Sequence, residues 1–373
     1  MEIYNKVREE IVRNKELKES GKDIIIPYPF PRFAQNVPGI MKGTYTIISG
    51  NQKSGKSQIA DYMYLYNALN FVQTKNTNID VFIPYFTLEM SKEAKIRQAI
   101  VHRLFLKHRK ILTTRQLRSL FDGYTLPQEI ISLIDADKAY FEFFEDKVQL
   151  IDGVKNPTGI YKYLRDYFHA NGRYIDKQGH PISMDDIEKN DLKINMSISH
   201  YQPNNPDLFV IPIIDHISLI QPEKEQGKLQ NTYDAIAKLS SDYLIKVRNR
   251  WQASICVVQQ QTLGKESNES AKMDRHEPSS DGLSDYKGTS KDCDQLITIY
   301  SPFRNKVRNY LGYDITRMQN YYRRLAVELD REGATFETSL YFNGKVNYFK
   351  ELLPPTQMLN EHYDKITKEE VYP

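Results

Sequence analysis

The chain is short of nearly everything that staples or anchors a protein. Cys256 and Cys293 are its only cysteines and neither belongs to a C-x-x-C. That excludes a disulfide framework and a paired-thiol redox site. Eight histidines are scattered without the spacing of zinc ligands. No apolar run approaches the roughly 20 residues needed to cross a bilayer, and Met1-Glu2-Ile3-Tyr4-Asn5 lacks a signal peptide's apolar core. An excess of one charge is missing too, with 51 Lys and Arg against 48 Asp and Glu. A nucleic-acid partner is therefore not announced by bulk charge and needs a local basic surface. Together these absences point to a soluble chain in a reducing cytoplasm, with no membrane partner.

What is present is a large apolar and aromatic content, 40% hydrophobic with 26 Tyr and 16 Phe, enough for a sizeable core. The 373 residues are about twice the common domain length, a size that single α/β domains reach. The chain is organised around Gly50-Asn51-Gln52-Lys53-Ser54-Gly55-Lys56-Ser57, which has the form G-x-x-x-x-G-K-[ST]. Tyr45 to Ile48 ahead of it reads as a buried strand, and Ile59, Ala60, Met63 and Tyr64 behind it recur at helical spacing. Strand, glycine loop and helix is the context that makes this a phosphate-binding P-loop. Glycines let backbone N–H groups wrap around phosphate oxygens at a helix N-terminus. Lys56 is then expected to reach the β- and γ-phosphates and Ser57 to ligate Mg²⁺.

Along the rest of the chain, residues 2–18 read as a helix with a narrow stripe at Ile3, Val7 and Ile11. Two readings stay open, a helix lying on its own domain or an arm packing on a neighbouring subunit. Pro27, Pro29, Pro31 and Pro38 predict an extended lead-in without helix. Further strands are expected at 81–90, 148–151, 208–215, 254–259, 296–300, 325–329 and 336–342, separated by helical patterns. Leu117, Leu120, Ile130, Ile131 and Leu133 are the inward residues expected of the helices in 113–147. Asn156-Pro157 predicts an N-cap and first-turn proline. Residues 173–206 read as an inserted excursion whose Ile194, Met196 and Ile198 alternate as one short strand, and 262–290 as a long loop. Strands alternating with helices predict an α/β fold, a mostly parallel sheet with helices on both faces. Pro84 and Pro212 fall inside two of the expected strands, where a missing N–H is costly.

Ligands bind at the carboxyl ends of such strands, where Gly50, Glu89, Asp215 and Gln259 are expected. Asp215 closes an apolar strand in the manner of an acid that holds Mg²⁺ through its water shell. Glu89 is placed to polarise an attacking water. Gln259 suits hydrogen bonding to a γ-phosphate.

The order of these pieces resembles the motor domain of DnaB-type replicative hexameric helicases, within the RecA-like ATPases. The matching stretches are Ser49 to Ser57, Phe86-Thr87-Leu88-Glu89-Met90-Ser91, Ile213 to Ile220, Val257 to Gln261, Lys291 to Leu296 and Asp330 to Gly333. The Phe-Thr-Leu-Glu-Met-Ser stretch is the most specific, because P-loop proteins in general do not share it. The resemblance covers about residues 25–352 and implies a RecA-like P-loop core using ATP and Mg²⁺. It implies Glu89 as catalytic base, Asp215 as the Walker B acid and Gln259 as γ-phosphate sensor. Arg331 falls where the family places an arginine finger that enters the neighbouring subunit's site. The loop Glu223 to Lys228 corresponds to a pore loop tracking single-stranded DNA, with Lys228 the candidate phosphate contact. A basic surface from Arg304, Lys306, Arg308, Arg317, Arg323 and Arg324 is a further candidate, beside the plainer reading of a solvated face.

Partners implied by the resemblance are single-stranded DNA, further copies of the chain in a ring, expected to be a hexamer, and a primase or loader. Residues 1–24 then take the place of the family's linker helix, which favours the subunit-bridging reading, and 353–373 form a tail. The chain departs from the family at Leu329, where a basic residue is usual, in a P-loop without the frequent proline, and in showing no counterpart of the N-terminal collar domain. That last departure suggests a minimal replication system such as a phage or plasmid carries. Two rival functions share the same site: a RecA-type filament ATPase, and a non-motor ATPase switch acting as loader or regulator.

Overall fold

The computed structural model describes residues 2–183, 186–187, 192–225, 227–262 and 276–372. Their centre is one ten-stranded sheet. In chain order its strands are β1 (Tyr45–Gly50), β2 (Asp80–Thr87), β3 (Val148–Ile151), β4 (Leu208–Val210), β5 (Ile213–Asp215), β6 (Ile255–Gln260), β7 (Gln295–Tyr300), β8 (Tyr322–Asp330), β9 (Phe336–Asn343) and β10 (Tyr348–Glu351). Across the sheet they run β10-β9-β8-β7-β1-β6-β5-β2-β3, with β4 pairing the first half of β2. From β7 to β3 every pairing is parallel, and β8, β9 and β10 add an antiparallel edge. The fold is α/β, as the alternation of strand and helix patterns predicts.

Successive side chains of a strand point to opposite faces, and the two faces carry separate cores. Ile47, Phe86, Ile214 and Val257 lie in one, and Ile48, Tyr85, Ile213 and Val258 in the other. The longer helices are α1 (Glu2–Glu19), α2 (56–74), α3 (Lys92–His108), α4 (Gln128–Ala136), α5 (Lys138–Lys147), α6 (Pro157–Ala170), α7 (232–251) and α8 (Asn360–Thr367). α2 covers the second core through Ile59, Met63 and Leu69. α6 and α7 cover the first through Ile160, Leu164, Phe168, Ile236, Leu239 and Val247. Both α2 and α7 widen into a π-helical stretch midway, at Asp61–Tyr66 and Lys238–Leu244. A third core joins Val101, Leu104 and Phe105 of α3 to Tyr341, Tyr348 and the C-terminal Tyr363 and Ile366.

The two prolines expected to trouble the strands fall at the same level. The register that pairs Phe82 with Val210 and Tyr85 with Ile213 puts Pro84 beside Pro212. The ladder there lacks two N–H groups at once, so the expected strand 208–215 splits into β4 and β5 while β2 passes through unbroken.

Several local expectations are corrected. Pro31 opens a helical turn, Pro31–Ala34, because its fixed φ suits the first helical position. Leu120 and Ile131 face solvent at 54% and 37% exposure. Asn156 occupies the N-cap position without a side-chain cap, its amide donating to Glu223 instead. Within the excursion, Leu192–Ser197 is helical and only Ile198–Pro203 is a strand, paired antiparallel to Gly172–Asp176. Residues 184–185 and 188–191 of that excursion, and 263–275 of the expected long loop, lie outside the described residues. No helix among the described residues is long and apolar enough to cross a membrane.

Candidate active site

β1 ends on Gly50, and space constrains the loop beyond it. A Cβ at Gly50 would stand 2.5 Å from the Ile299 carbonyl oxygen and 2.7 Å from Ser54 Oγ. Gly55 has φ +102°, a conformation L side chains rarely adopt. Between them Gln52 and Lys53 are exposed at the loop tip, whereas Asn51, Ser54 and Lys56 are buried. α2 begins at Lys56, so its first N–H groups have no acceptor within the helix. Lys56 Nζ donates to the Asn51 carbonyl at 2.9 Å, folded back over the loop. Ser54 Oγ and Asn51 Oδ1 are buried without a hydrogen-bond partner, polar atoms of the kind a bound anion and its water would satisfy.

Ser57 Oγ donates to Asp215 Oδ1 at 2.7 Å. A hydroxyl and a carboxylate oxygen in contact beside a phosphate cradle fit Mg²⁺, which takes one or two protein oxygens and completes its shell with phosphate and water. No cluster of three or more His, Cys, Asp or Glu suited to a metal occurs among the described residues, so a protein-caged ion is not built here.

Asp215 is only 2% exposed, and its second oxygen is held from behind. Tyr85 Oη lies 3.0 Å from Oδ2 and Lys95 Nζ 3.3 Å from it. Lys95, itself 3% exposed, also reaches both oxygens of Asp61 at 3.2 and 3.0 Å and lies 4.5 Å from the Tyr85 ring centre. Burial alone pulls the Lys95 ammonium down, but Asp61 and Asp215 together hold its pKa above the ordinary value. Burial pushes Asp215 up, and Lys95, Ser57 and Tyr85 more than reverse it, leaving the carboxyl below its usual range. Asp61, where burial outweighs Lys95, is raised. Removing one partner from such a buried set costs about 3–5 kcal/mol, because the other charge is left uncompensated. Sequence reasoning missed Asp61, Tyr85 and Lys95. The one available signal was the helical stripe Lys95, Ala99, His102, whose members are all buried on α3.

The remaining expected residues separate. Glu89 lies just past β2, 59% exposed, with Oε2 3.8 Å from His216 Nε2. Its neighbour Leu88 donates to the Asp215 carbonyl, which ties this turn to the end of β5. Burial lowers the His216 pKa despite Asp215 and Glu89 nearby. Gln259 is fully buried and its amide is engaged at both ends: Nε2 donates to the Ser284 and Tyr286 carbonyls, and Oε1 accepts from Thr289. It is Gln261 that bonds β1, through Ser49 Oγ at 2.9 Å.

Arg331 follows β8 at the other edge of the sheet. β7 pairs Ile299 with Gly50 and Gln295 with Thr46, while β8 runs back from Arg324 beside Tyr300 to Asp330 beside Gln295. Five residues of strand separate the two levels, about 17 Å. Arg331 is 47% exposed there, donating to the Lys291 carbonyl and standing 3.7 Å from Asp294. Lys228 is exposed on a small hairpin, Lys224–Glu225 against Lys228–Leu229; Gln226 between them lies outside the described residues. Glu223 anchors the hairpin's base through Asn156, Thr158 and Lys238.

The expected basic surface is corrected at its centre. Arg323 is 1% exposed and donates to the Ser54 carbonyl at 2.6 Å, with its guanidinium 4.4 Å from the Phe342 ring centre. It braces the P-loop from the carbonyl side. Arg324 is spent on Glu277, Glu328 and Glu337, and Arg317 on Asp364.

No protein-family model and no curated protein matches the sequence. Solved structures do. One, of an isolated ATPase domain, aligns over 93% of this chain and 98% of its own, with a TM-score of 0.63 at 16% identity. Another, of a DnaB-like replicative helicase and its interactions with primase, aligns over 92% of this chain and 68% of its own, with a TM-score of 0.61 at 16% identity. The fold is that of a DnaB-type helicase motor domain. Within this DnaB-type fold the P-loop, the turn at Glu89 and the end of β5 meet at one end of the sheet, and Arg331 stands at the other.

Proposed function

We propose that the protein is an ATP-driven motor that translocates on single-stranded DNA as a ring of identical subunits and separates duplex. The observation that carries this reading is the position of Arg331. It lies about 17 Å along the strands from its own P-loop, exposed and on the opposite edge of a RecA-like sheet. A cation placed there serves another subunit's nucleotide, and a site shared between copies couples hydrolysis to assembly. Within one subunit the P-loop Gly50 to Ser57 and Lys56 bind the phosphates. Ser57 and Asp215 hold Mg²⁺, which supplies charge neutralisation at the β- and γ-phosphates. Glu89 polarises the attacking water, and Arg331 from the next subunit stabilises charge developing on the transferred phosphoryl group. Gln259 links the end of β6 to residues 284–289 and reports occupancy through that segment. Lys228, exposed on its hairpin, contacts DNA phosphate. α1, in residues 1–24, bridges neighbouring subunits of the motor formed by 25–352. A primase or loader is the further partner that the DnaB-like neighbour suggests.

Strand displacement on a forked duplex with ATP, beside a Lys56→Ala control, tests the motor. Displacement by the wild type and none by the control is the expected result. DNA-stimulated hydrolysis without displacement would instead make the chain a switch or loader.

A further inference from the structure

We propose that Lys95 is a positioning residue for Asp215, and that Asp61 is in the chain to make that possible. The inference rests on the nucleotide and Mg²⁺ reading of the site and adds to it the group that orients its acid. Asp215 has two oxygens with different work. Oδ1 faces Ser57 at 2.7 Å, on the side of the P-loop. Oδ2 points back into the protein, where Lys95 Nζ at 3.3 Å and Tyr85 Oη at 3.0 Å hold it. Holding one oxygen of a carboxylate fixes the plane and the reach of the other.

A buried ammonium beside a metal ligand has an obvious drawback, since its charge opposes the cation. Asp61 answers it. Both Asp61 oxygens lie within hydrogen-bond distance of Lys95 Nζ, at 3.2 and 3.0 Å, closer than the Asp215 contact. Lys95 and Asp61 therefore form a neutral pair that orients Asp215 without discharging it, and the carboxylate keeps its attraction for the metal. The three elements are brought together by packing: Asp61 opens the π-helical stretch of α2, Lys95 lies in the first turn of α3, and Asp215 ends β5. Asp61, Lys95 and Asp215 are all at most 3% exposed, so none of these contacts is a solvated surface pair.

The test replaces the pair as a unit, which leaves the net charge of the cluster unchanged. In Asp61→Leu/Lys95→Met, thermal unfolding is followed together with the dissociation constant of a fluorescent ADP, measured once in EDTA and once in MgCl₂. The expected result is an unfolding midpoint near wild type, metal-free affinity within about twofold, and a Mg²⁺-dependent tightening reduced by about tenfold, the scale on which groups that orient a metal ligand act. Asp61→Asn/Lys95→Gln, closer in size and polarity, is measured alongside. It should fall between wild type and the apolar pair, and it decides the matter if the apolar pair does not fold. A Mg²⁺ effect equal to or larger than wild type in the folded variant overturns the proposal, since Lys95 would then be structural or would compete with the cation. Failure of the wild type itself to bind ADP overturns the nucleotide reading, and the role of Lys95 with it.

Discussion

The two ends of the central sheet are built on opposite principles. At the carboxyl end of the parallel strands, polar side chains are buried and engaged: Asp61, Lys95, Asp215, Gln259 and Arg323 are each at most 3% exposed. At the other end Arg331 is 47% exposed, with an ion pair to Asp294 at 3.7 Å. Preorganisation explains the first. Groups that must meet charge in a fixed geometry are locked before the ligand arrives, and desolvation strengthens each interaction. Availability explains the second, because a side chain meant for another molecule cannot be spent inside its own.

The largest effect should come from breaking that division. Arg331→Ala is expected to leave nucleotide affinity near wild type while lowering ATP turnover by about 10³-fold, the range of a finger supplied in trans. Mixing that variant with Lys56→Ala should recover part of the activity, since one variant keeps an intact P-loop and the other an intact Arg331. Steady-state turnover of each and of the mixture is the measurement. Lost nucleotide binding, or a mixture as inactive as its parts, would mean that the two ends belong to one subunit's function.

A second prediction sharpens the buried half. His102 is stacked on Tyr66 at 4.0 Å between centroids, with Nδ1 2.9 Å from the Val346 carbonyl. Burial lowers its pKa from 6.5 to about 4. With the folded value depressed, the unfolded chain takes the proton first. Stability from this group is complete above pH 6.5, is lost as pH falls toward 4, and changes no further below. The loss amounts to about 3 kcal/mol over that window. Chemical denaturation at pH 7 and pH 4.5 reads it, and His102→Phe should flatten that part of the profile.

Two smaller effects probe the exposed surfaces. Lys228→Ala should weaken single-stranded DNA binding several-fold and reduce the logarithmic salt slope by about 0.7; titration at several salt concentrations decides. On α1, Tyr4, Val7 and Ile11 are 66%, 49% and 64% exposed; the Ile3 side chain of the expected stripe lies outside the described residues. Val7→Glu/Ile11→Glu should change the unfolding free energy by less than about 0.5 kcal/mol while shifting sedimentation toward smaller species. An unchanged sedimentation profile would return α1 to its own domain.

Much of the parallel core is legible in the sequence because it is local. Apolar runs mark β1, β3, β6 and β7 to within two residues at either end, and the P-loop announces its own strand and helix. Expectation and structure differ where local and tertiary demands part. Ile194 and Met196 alternate like a strand, yet they lie in a helix. Leu120 and Ile131 have apolar side chains but remain largely open to solvent. Tyr348–Glu351 escapes a reading by pattern because four residues with a charged pair carry no periodicity, although β9 provides a partner for them.

By itself the sequence determined what backbone geometry and short-range pattern can encode: the loop that only glycine at 50 and 55 permits, the helix behind it, the alternation of strand and helix, and the carboxylates at strand ends. Tertiary structure alone decided which charges are buried. A lysine at 95 and an arginine at 323 read as solvated residues until packing places them. Lys95 meets partners 34 and 120 positions away in sequence, and Arg323 one 269 positions away. Desolvation and pairing depend on which elements face one another, and that is set by the order of strands across the sheet, which no short-range pattern carries.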